Sequence, residues 1–115
     1  MITAYWQVTL KEGVDEKDFD KWIKEEWSPK LNGEGGPKGM GGEIAKGDRG
    51  PAKGHYLGQI RFDSVEARDR YFPVEGEGLS EEGRHEIDRT GFGAAFDKFW
   101  DFADLEWYGD GFVIS

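Results

Sequence analysis

Two tyrosines and a histidine are the side chains in this sequence best suited to chemistry on a bound small molecule. A buried phenol must find a hydrogen-bond partner, so Tyr56 and Tyr71 are candidates to hold a ligand carbonyl or hydroxyl group. His85 is the better of the two histidines for a general base, because imidazole titrates close to physiological pH. His55 stands at the start of a strand, where a place in a dimer interface is favoured over catalysis.

Each of these side chains also has a purely structural interpretation. Both tyrosines fit a hydrophobic core with their hydroxyl groups reaching solvent, and His85 fits an exposed turn of an acidic helix. Arg89 is permanently protonated, so it cannot act as a base. It either clamps a ligand carboxylate or enolate, or it pairs with Glu86 or Asp88.

Large aromatic side chains are a second feature that favours ligand binding. The chain contains eight Phe, five Trp and four Tyr. So many rings around one sheet face favour a flat aromatic or polyketide-like ligand wherever a cavity exists. The candidates to line such a site are Trp6, Trp22, Phe92 and Phe96. For the two tryptophans the simplest alternative is a place in the core.

Composition excludes several classes of site and partner. The chain has 15 Lys and Arg against 24 Asp and Glu, a net charge of −9, which argues against nucleic acid and favours a neutral ligand. Cysteine is absent, which excludes disulfides and thiolate chemistry and fits a cytoplasmic location. The single Glu-x-x-His, from Glu82 to His85, predicts no di-metal site. No apolar run reaches the roughly 18 residues of a membrane span, and no secretory signal is expected.

The spacing of apolar residues defines the elements that must position these side chains. Alternation predicts strands at 2–10, 43–46, 55–62, 105–108 and 112–114, the last two separated by a bulge or turn at 109–111. Helical spacing predicts a helix from the N-cap Asp15 to Ser28-Pro29, another at 65–72 capped by Asp63-Ser64, and a third at 91–103. The stretch 74–83 is predicted to be a loop that leads to a first helical turn near Ser80.

These elements give the order β-α-β-β-α-α-β in a single domain covering residues 1–115. Strands with one apolar face require helices on that face, so the prediction is an α+β fold with a four-stranded, mainly antiparallel sheet. The opposite face, which carries Tyr5, Leu57 and Gln59, is only half polar. A second copy of the sheet would cover it, so we expect a homodimer.

Four motifs follow one another along the second half of the chain: Phe62-Asp63-Ser64-Val65-Glu66, Tyr71, Gly91-Phe92-Gly93 and Phe99-Trp100. In this order they resemble the stress-responsive dimeric α/β-barrel family, and within it the polyketide cyclases of the olivetolic acid type. The resemblance implies two ferredoxin-like subunits whose sheets face each other to form a barrel. It also implies a pocket in each subunit, between the sheet and the helices.

The resemblance further implies that Tyr71 acts together with a histidine. The position of that histidine is Arg89 in this sequence, and an insertion before it supplies His85 as the replacement base. Two other polar pocket positions fall on Ala4 and Tyr56. Related barrel families also bind haem, for which His85 is the only reasonable axial ligand, but the prediction is a protein without metal or cofactor.

Two functions from different classes follow for a dimer that binds a small apolar or aromatic molecule. The first is a cyclase or cofactor-independent oxygenase acting on a small aromatic or polyketide-like carbonyl compound, with Tyr71 as hydrogen-bond donor or acid and His85 as base. The second is a non-catalytic stress-response or accessory ligand-binding dimer. A purely structural dimer without a cavity is the third alternative. Whether the chain is an enzyme stays open.

Overall fold

A four-stranded antiparallel sheet forms one layer of the computed structural model, which describes residues 1–115. The strands are β1 (Ile2–Leu10), β2 (Met40–Lys46), β3 (Tyr56–Phe62) and β4 (Ala103–Phe112). They run in the order β2-β3-β1-β4, and every neighbouring pair is antiparallel. The predicted α+β fold with a four-stranded antiparallel sheet is confirmed.

Helices pack on one face of this sheet. They are α1 (Glu16–Trp22), α2 (Ser28–Asn32), α3 (Val65–Tyr71), α4 (Glu81–Arg89) and α5 (Phe92–Phe102). Asp15, Ser64 and Ser80 each accept hydrogen bonds from first-turn N–H groups through a side-chain oxygen, which fixes the starts of α1, α3 and α4. The caps predicted at Asp15 and Ser64 are therefore confirmed. The insertion contains a full helix, α4, beyond the single turn predicted near Ser80.

The first helical region is longer than the sequence predicts, and the prediction that it ends at Ser28-Pro29 is wrong. A π-helical segment, Ile23–Trp27, joins α1 to α2, and the Ser28 N–H donates to the carbonyl of Ile23. Pro29 thus lies directly after the π-helical segment, within a continuous helical backbone. Proline has no N–H to donate, and the change from i−4 to i−5 bonding just before it is where the helix accommodates that loss.

The last strand is continuous, with a bulge instead of the alternative turn. Trp6 lies opposite Trp107 and Tyr5 opposite Gly109, which leaves Tyr108 without a partner across β1. The strand also begins at Ala103, directly after α5 and two residues earlier than predicted. β2 likewise begins three residues before the predicted start.

An aromatic cluster centred on Phe19 joins the two layers. Phe19 is fully buried, and its ring centroid lies 4.9 Å from that of Tyr56, 5.6 Å from Phe99 and 5.7 Å from Phe102. Trp22 packs beside it at 6.3 Å. Mostly edge-on contacts of this kind connect α1 and α5 to the sheet.

α4 packs closely against α3 at Gly83, where an added Cβ would lie 2.8 Å from the Cα of Tyr71. We expect Gly83→Ala to lower the free energy of unfolding by about 1–3 kcal/mol, measured by urea denaturation, because α4 must move away from α3. Alanine is the better helix former by about 1 kcal/mol, so helix propensity acts in the opposite direction. Gly78→Ala is the control, since a Cβ there meets no atom within 4 Å. Equal losses in the two variants would contradict this contact.

Candidate functional site

A cavity of about 1170 Å³ lies between the sheet and part of the helical layer. Most of the side chains that line it are hydrophobic. Its floor is the helix-facing side of the sheet, and its walls are α5 and the segment 72–79. The floor includes Ile2, Ala4, Trp6 and Val8 of β1 and Ile60 of β3.

Two small residues form part of the cavity floor. Ala4 on β1 and Gly58 on β3 both occupy helix-facing positions, and both line the cavity. A Cβ added at Gly58 would lie 3.5 Å from the Cβ of Trp6 and 3.3 Å from Cδ1 of Ile44, so the backbone here is already closely flanked. Neither residue extends a large side chain into the cavity.

One ion pair lies at the rim of the cavity and connects α3 to β4. Arg68 donates from Nη1 to Oδ2 of Asp110 at 2.7 Å and from Nε to Oδ1 of Asp69 at 2.7 Å. Trp107 donates from Nε1 to the other oxygen of Asp110 at 3.2 Å. The hydrogen bond to Asp69 is the main reason that the pKa of Arg68 lies above its ordinary value. The carboxylates of Asp69 and Asp110 therefore both accept hydrogen bonds from Arg68.

The segment 72–79 closes part of the rim, and its two ends are held together. Ser80 donates from its backbone N–H to the carbonyl of Tyr71 at 2.7 Å and from its hydroxyl to the carbonyl of Arg70 at 2.6 Å. The segment carries Glu75 and Glu77, both exposed, along the cavity. With Asp69 and Asp110 they outnumber Arg68, so the rim is acidic.

Trp6 is the one residue with a buried side-chain nitrogen or oxygen that lacks a hydrogen-bond partner. The atom is the indole Nε1, and the residue lies in the cavity floor. Indole N–H is a donor only, so the missing partner is an acceptor.

The sequence-predicted site residues divide into two groups. Trp6, Phe92 and Phe96 line the cavity, whereas Trp22 packs in the Phe19 cluster. Tyr56 also lies outside the cavity, and its hydroxyl donates to Oδ1 of Asp20 at 2.7 Å. Burial raises the pKa of Tyr56 well above its ordinary value, and the hydrogen bond to Asp20 adds to this.

Tyr71 and Arg89 meet around the backbone of Lys38 and not at the cavity. The Tyr71 hydroxyl donates to the Lys38 carbonyl at 2.7 Å, and the Lys38 N–H donates to Oε2 of Glu86 at 3.1 Å. Arg89 donates to both oxygens of Glu86, at 2.9 and 2.8 Å. An ion pair of Arg89 with Glu86 is one of the alternatives that the sequence predicts. This pairing is the main reason that the pKa of Glu86 falls to about 2. Burial, with the nearby Glu86 charge, raises the pKa of Tyr71 to about 12, so its phenol stays protonated.

The two histidines lie apart from the cavity as well. His85 is exposed on α4 and makes no hydrogen bond through its side chain. The Nδ1 atom of His55 lies 3.1 Å from the hydroxyl oxygen of Thr9. Tyr56, Tyr71 and His85 are thus not brought together in one pocket, and the acid and base roles given to Tyr71 and His85 stay predictions.

Sequence reasoning missed the rim of the cavity. The rim joins Arg68 of α3 to Trp107 and Asp110 of β4. These two elements are far apart in the chain, and no local pattern connects them. The floor did leave a signal, because Ala4 and Gly58 interrupt the large side chains on the apolar faces of two predicted strands.

A scan against protein-family models finds no match for this chain, and a search of curated proteins finds none either. Among the helices, none combines the length and apolar character needed to cross a bilayer. No group of three or more His, Asp or Glu side chains is arranged to hold a metal ion. Evidence about function therefore comes from the cavity.

The Tyr71 hydrogen bond gives a direct test of what this side chain does. We expect Tyr71→Phe to lower the free energy of unfolding by about 1 kcal/mol in urea denaturation, because the Lys38 carbonyl loses its buried donor. Tyr5→Phe, at a phenol that is 38% exposed, is the control and should change stability little. The affinity for the neutral fluorophore Nile red should stay unchanged in both variants. Weaker Nile red binding by Tyr71→Phe with wild-type stability would instead assign Tyr71 to the ligand site.

Proposed function

We propose that this protein binds a small, largely apolar molecule between its sheet and its helices, as a homodimer of the dimeric α/β-barrel type. The observation that carries the proposal is the cavity, because about 1170 Å³ of mostly hydrophobic space suits a drug-sized ligand. The cavity is open to solvent at its rim, so without an occupant its hydrophobic lining is in contact with water, and an apolar ligand would cover that surface.

The strand order supports the ferredoxin-like part of this proposal. β1 and β2 are separated by β3, and β4 pairs with β1, which is the arrangement of a split β-α-β unit repeated twice. Three of the motif residues have identifiable structural roles. Phe62 and Tyr71 pack with ring centroids 6.1 Å apart, and Gly91 has a φ of 81° at the start of α5. Their structural roles support the family proposal without implying its chemistry.

Ligand binding without catalysis is the function that the geometry supports best. A cyclase or cofactor-independent oxygenase needs a base beside the ligand, but the floor and walls of the cavity are apolar. The titratable groups that line it are the exposed Tyr108 of β4 and, at the rim, Arg68, Asp69, Glu75, Glu77 and Asp110. Action on an aromatic or polyketide-like carbonyl compound therefore stays the alternative, and it predicts loss of turnover without loss of affinity in Tyr71→Phe and His85→Ala.

Filling the cavity tests the proposed binding site directly. We expect Ala4→Phe to weaken Nile red binding roughly tenfold, because the new ring extends from the floor into the space that the ligand needs. Fluorescence titration gives the affinity, and urea denaturation checks that the variant is folded. Ala94→Phe makes the same change at an exposed position of α5 outside the cavity and should bind as the wild type does. Equal weakening in both, or no binding by the wild type, would contradict the proposal.

The sheet face opposite the helices supports the proposed dimer. Two large apolar side chains on this face are exposed, Tyr5 at 38% and Leu57 at 46%. A face-to-face pair of sheets would bury these side chains and would form the two halves of a barrel.

A charge placed in this face should separate the subunits. We expect the wild type to have the mass of a dimer in light scattering at micromolar concentration, and Leu57→Lys to have that of a monomer, because the lysine would be buried without a partner. Val74→Lys is matched in exposure, at 50% against 46%, but lies in the cavity rim, and it should stay dimeric. A monomeric wild type would overturn the dimer and leave the cavity proposal intact.

A further inference from the structure

We propose that the segment 72–79 is a lid, which closes over the cavity after an apolar ligand has entered and so controls its release. The inference rests on the proposed function, because it assigns a movement to the wall of the same site. All eight residues of the segment line the cavity. Residues 73–78 are nevertheless exposed to solvent, so this part of the wall lies at the surface of the protein.

Both ends of the segment are fixed to the protein. Two hydrogen bonds from Ser80 join the end of α3 to the start of α4. At one end of the segment, Phe72 packs against Phe62 with ring centroids 6.1 Å apart, and at the other end Leu79 packs against the hydrophobic core. A surface loop of this length with its ends close together is an Ω-loop, and its fixed ends give it two points about which it can move as one unit.

The chain between these ends is held loosely. No backbone hydrogen bond joins residues 73–79 to any other part of the protein, and the single one within them runs from the Glu77 N–H to the Val74 carbonyl at 3.1 Å. A Cβ added at Gly76 or Gly78 would meet no atom within 4 Å, so neither glycine is packed against a neighbour. Exposed backbone with few hydrogen bonds and little packing allows a lid to move while the elements on either side stay in place.

An exposed valine gives the segment a reason to close on an apolar occupant. Val74 is 50% exposed although it lines the cavity. Trp100 of α5 and Trp107 of β4, which line the same cavity, are 46% and 36% exposed. In the free protein these apolar surfaces face water, and closure over a bound apolar molecule would remove part of them from it. A ligand that fills the cavity supplies apolar surface next to Val74, so its binding favours the closed arrangement.

Hydrogen exchange of the wild-type protein tests whether the segment responds to a ligand. In the free protein, the backbone N–H groups of residues 74–79 should exchange rapidly, because all except that of Glu77 lack a backbone hydrogen-bond partner. Saturation with Nile red should slow their exchange roughly tenfold, because the closed segment is ordered and excludes water. The loop 47–54, which lies outside the cavity, is the control and should exchange as before. Exchange in the segment 72–79 that does not respond to bound Nile red would overturn the lid.

The kinetics of Nile red binding test what closure does. We expect Val74→Ser to raise the dissociation rate constant roughly fivefold and to leave the association rate constant within about twofold, because the lost apolar contact forms only after the ligand has entered. Stopped-flow fluorescence measures both constants. Val113→Ser is the matched control, since Val113 is 43% exposed but does not line the cavity, and it should release Nile red as the wild type does. Equal dissociation rate constants in the two variants would contradict the lid.

The lid and the ligand site fail in different ways. If Nile red binds and either of these two expectations fails, the ligand site stands and the lid is overturned. If the wild type does not bind Nile red, the proposed function fails and the inference fails with it.

Discussion

The contact between Phe19 and the rings around it sets the distance between the sheet and the helices. Tyr56 and Phe99 reach this cluster from the sheet and from α5, so the two layers are held apart by aromatic side chains that pack edge-on. The cavity lies over a floor that combines two small residues, Ala4 and Gly58, with larger side chains such as Trp6.

The backbone of Lys38 organises the opposite end of the helical layer. Its carbonyl and its N–H are held by Tyr71 and Glu86, which belong to α3 and α4. A glycine-rich loop has little structure of its own, and these two bonds fix it against the helices. The hydroxyl of Tyr71 therefore has a structural role here, because it holds the loop against the helices.

Local patterns sufficed where local physics decides the structure. The alternation in β1, the cap at Ser64 and the apolar stripe of α5 each depend on neighbouring residues, and each prediction agrees with the structure. The first helical region continues past Pro29 through a π-helical segment, which residue helix propensities do not predict. The rim of the cavity depends on contacts such as that of Arg68 with Asp110, which lie 42 residues apart. Long-range placement of this kind is decided by packing and has no signal in a sequence window.

The bulge at Tyr108 affects how copies of this chain can meet. β4 is an edge strand, and edge strands offer unpaired backbone groups to other strands. The extra residue interrupts the regular spacing of those groups and increases the local twist, while Asp104 and Glu106 place negative charge along the same strand. A second β4 laid alongside would meet mismatched hydrogen-bonding groups and like charges. The sheet is therefore poorly suited to grow from one molecule into the next along β4, which disfavours the formation of fibres through this edge strand.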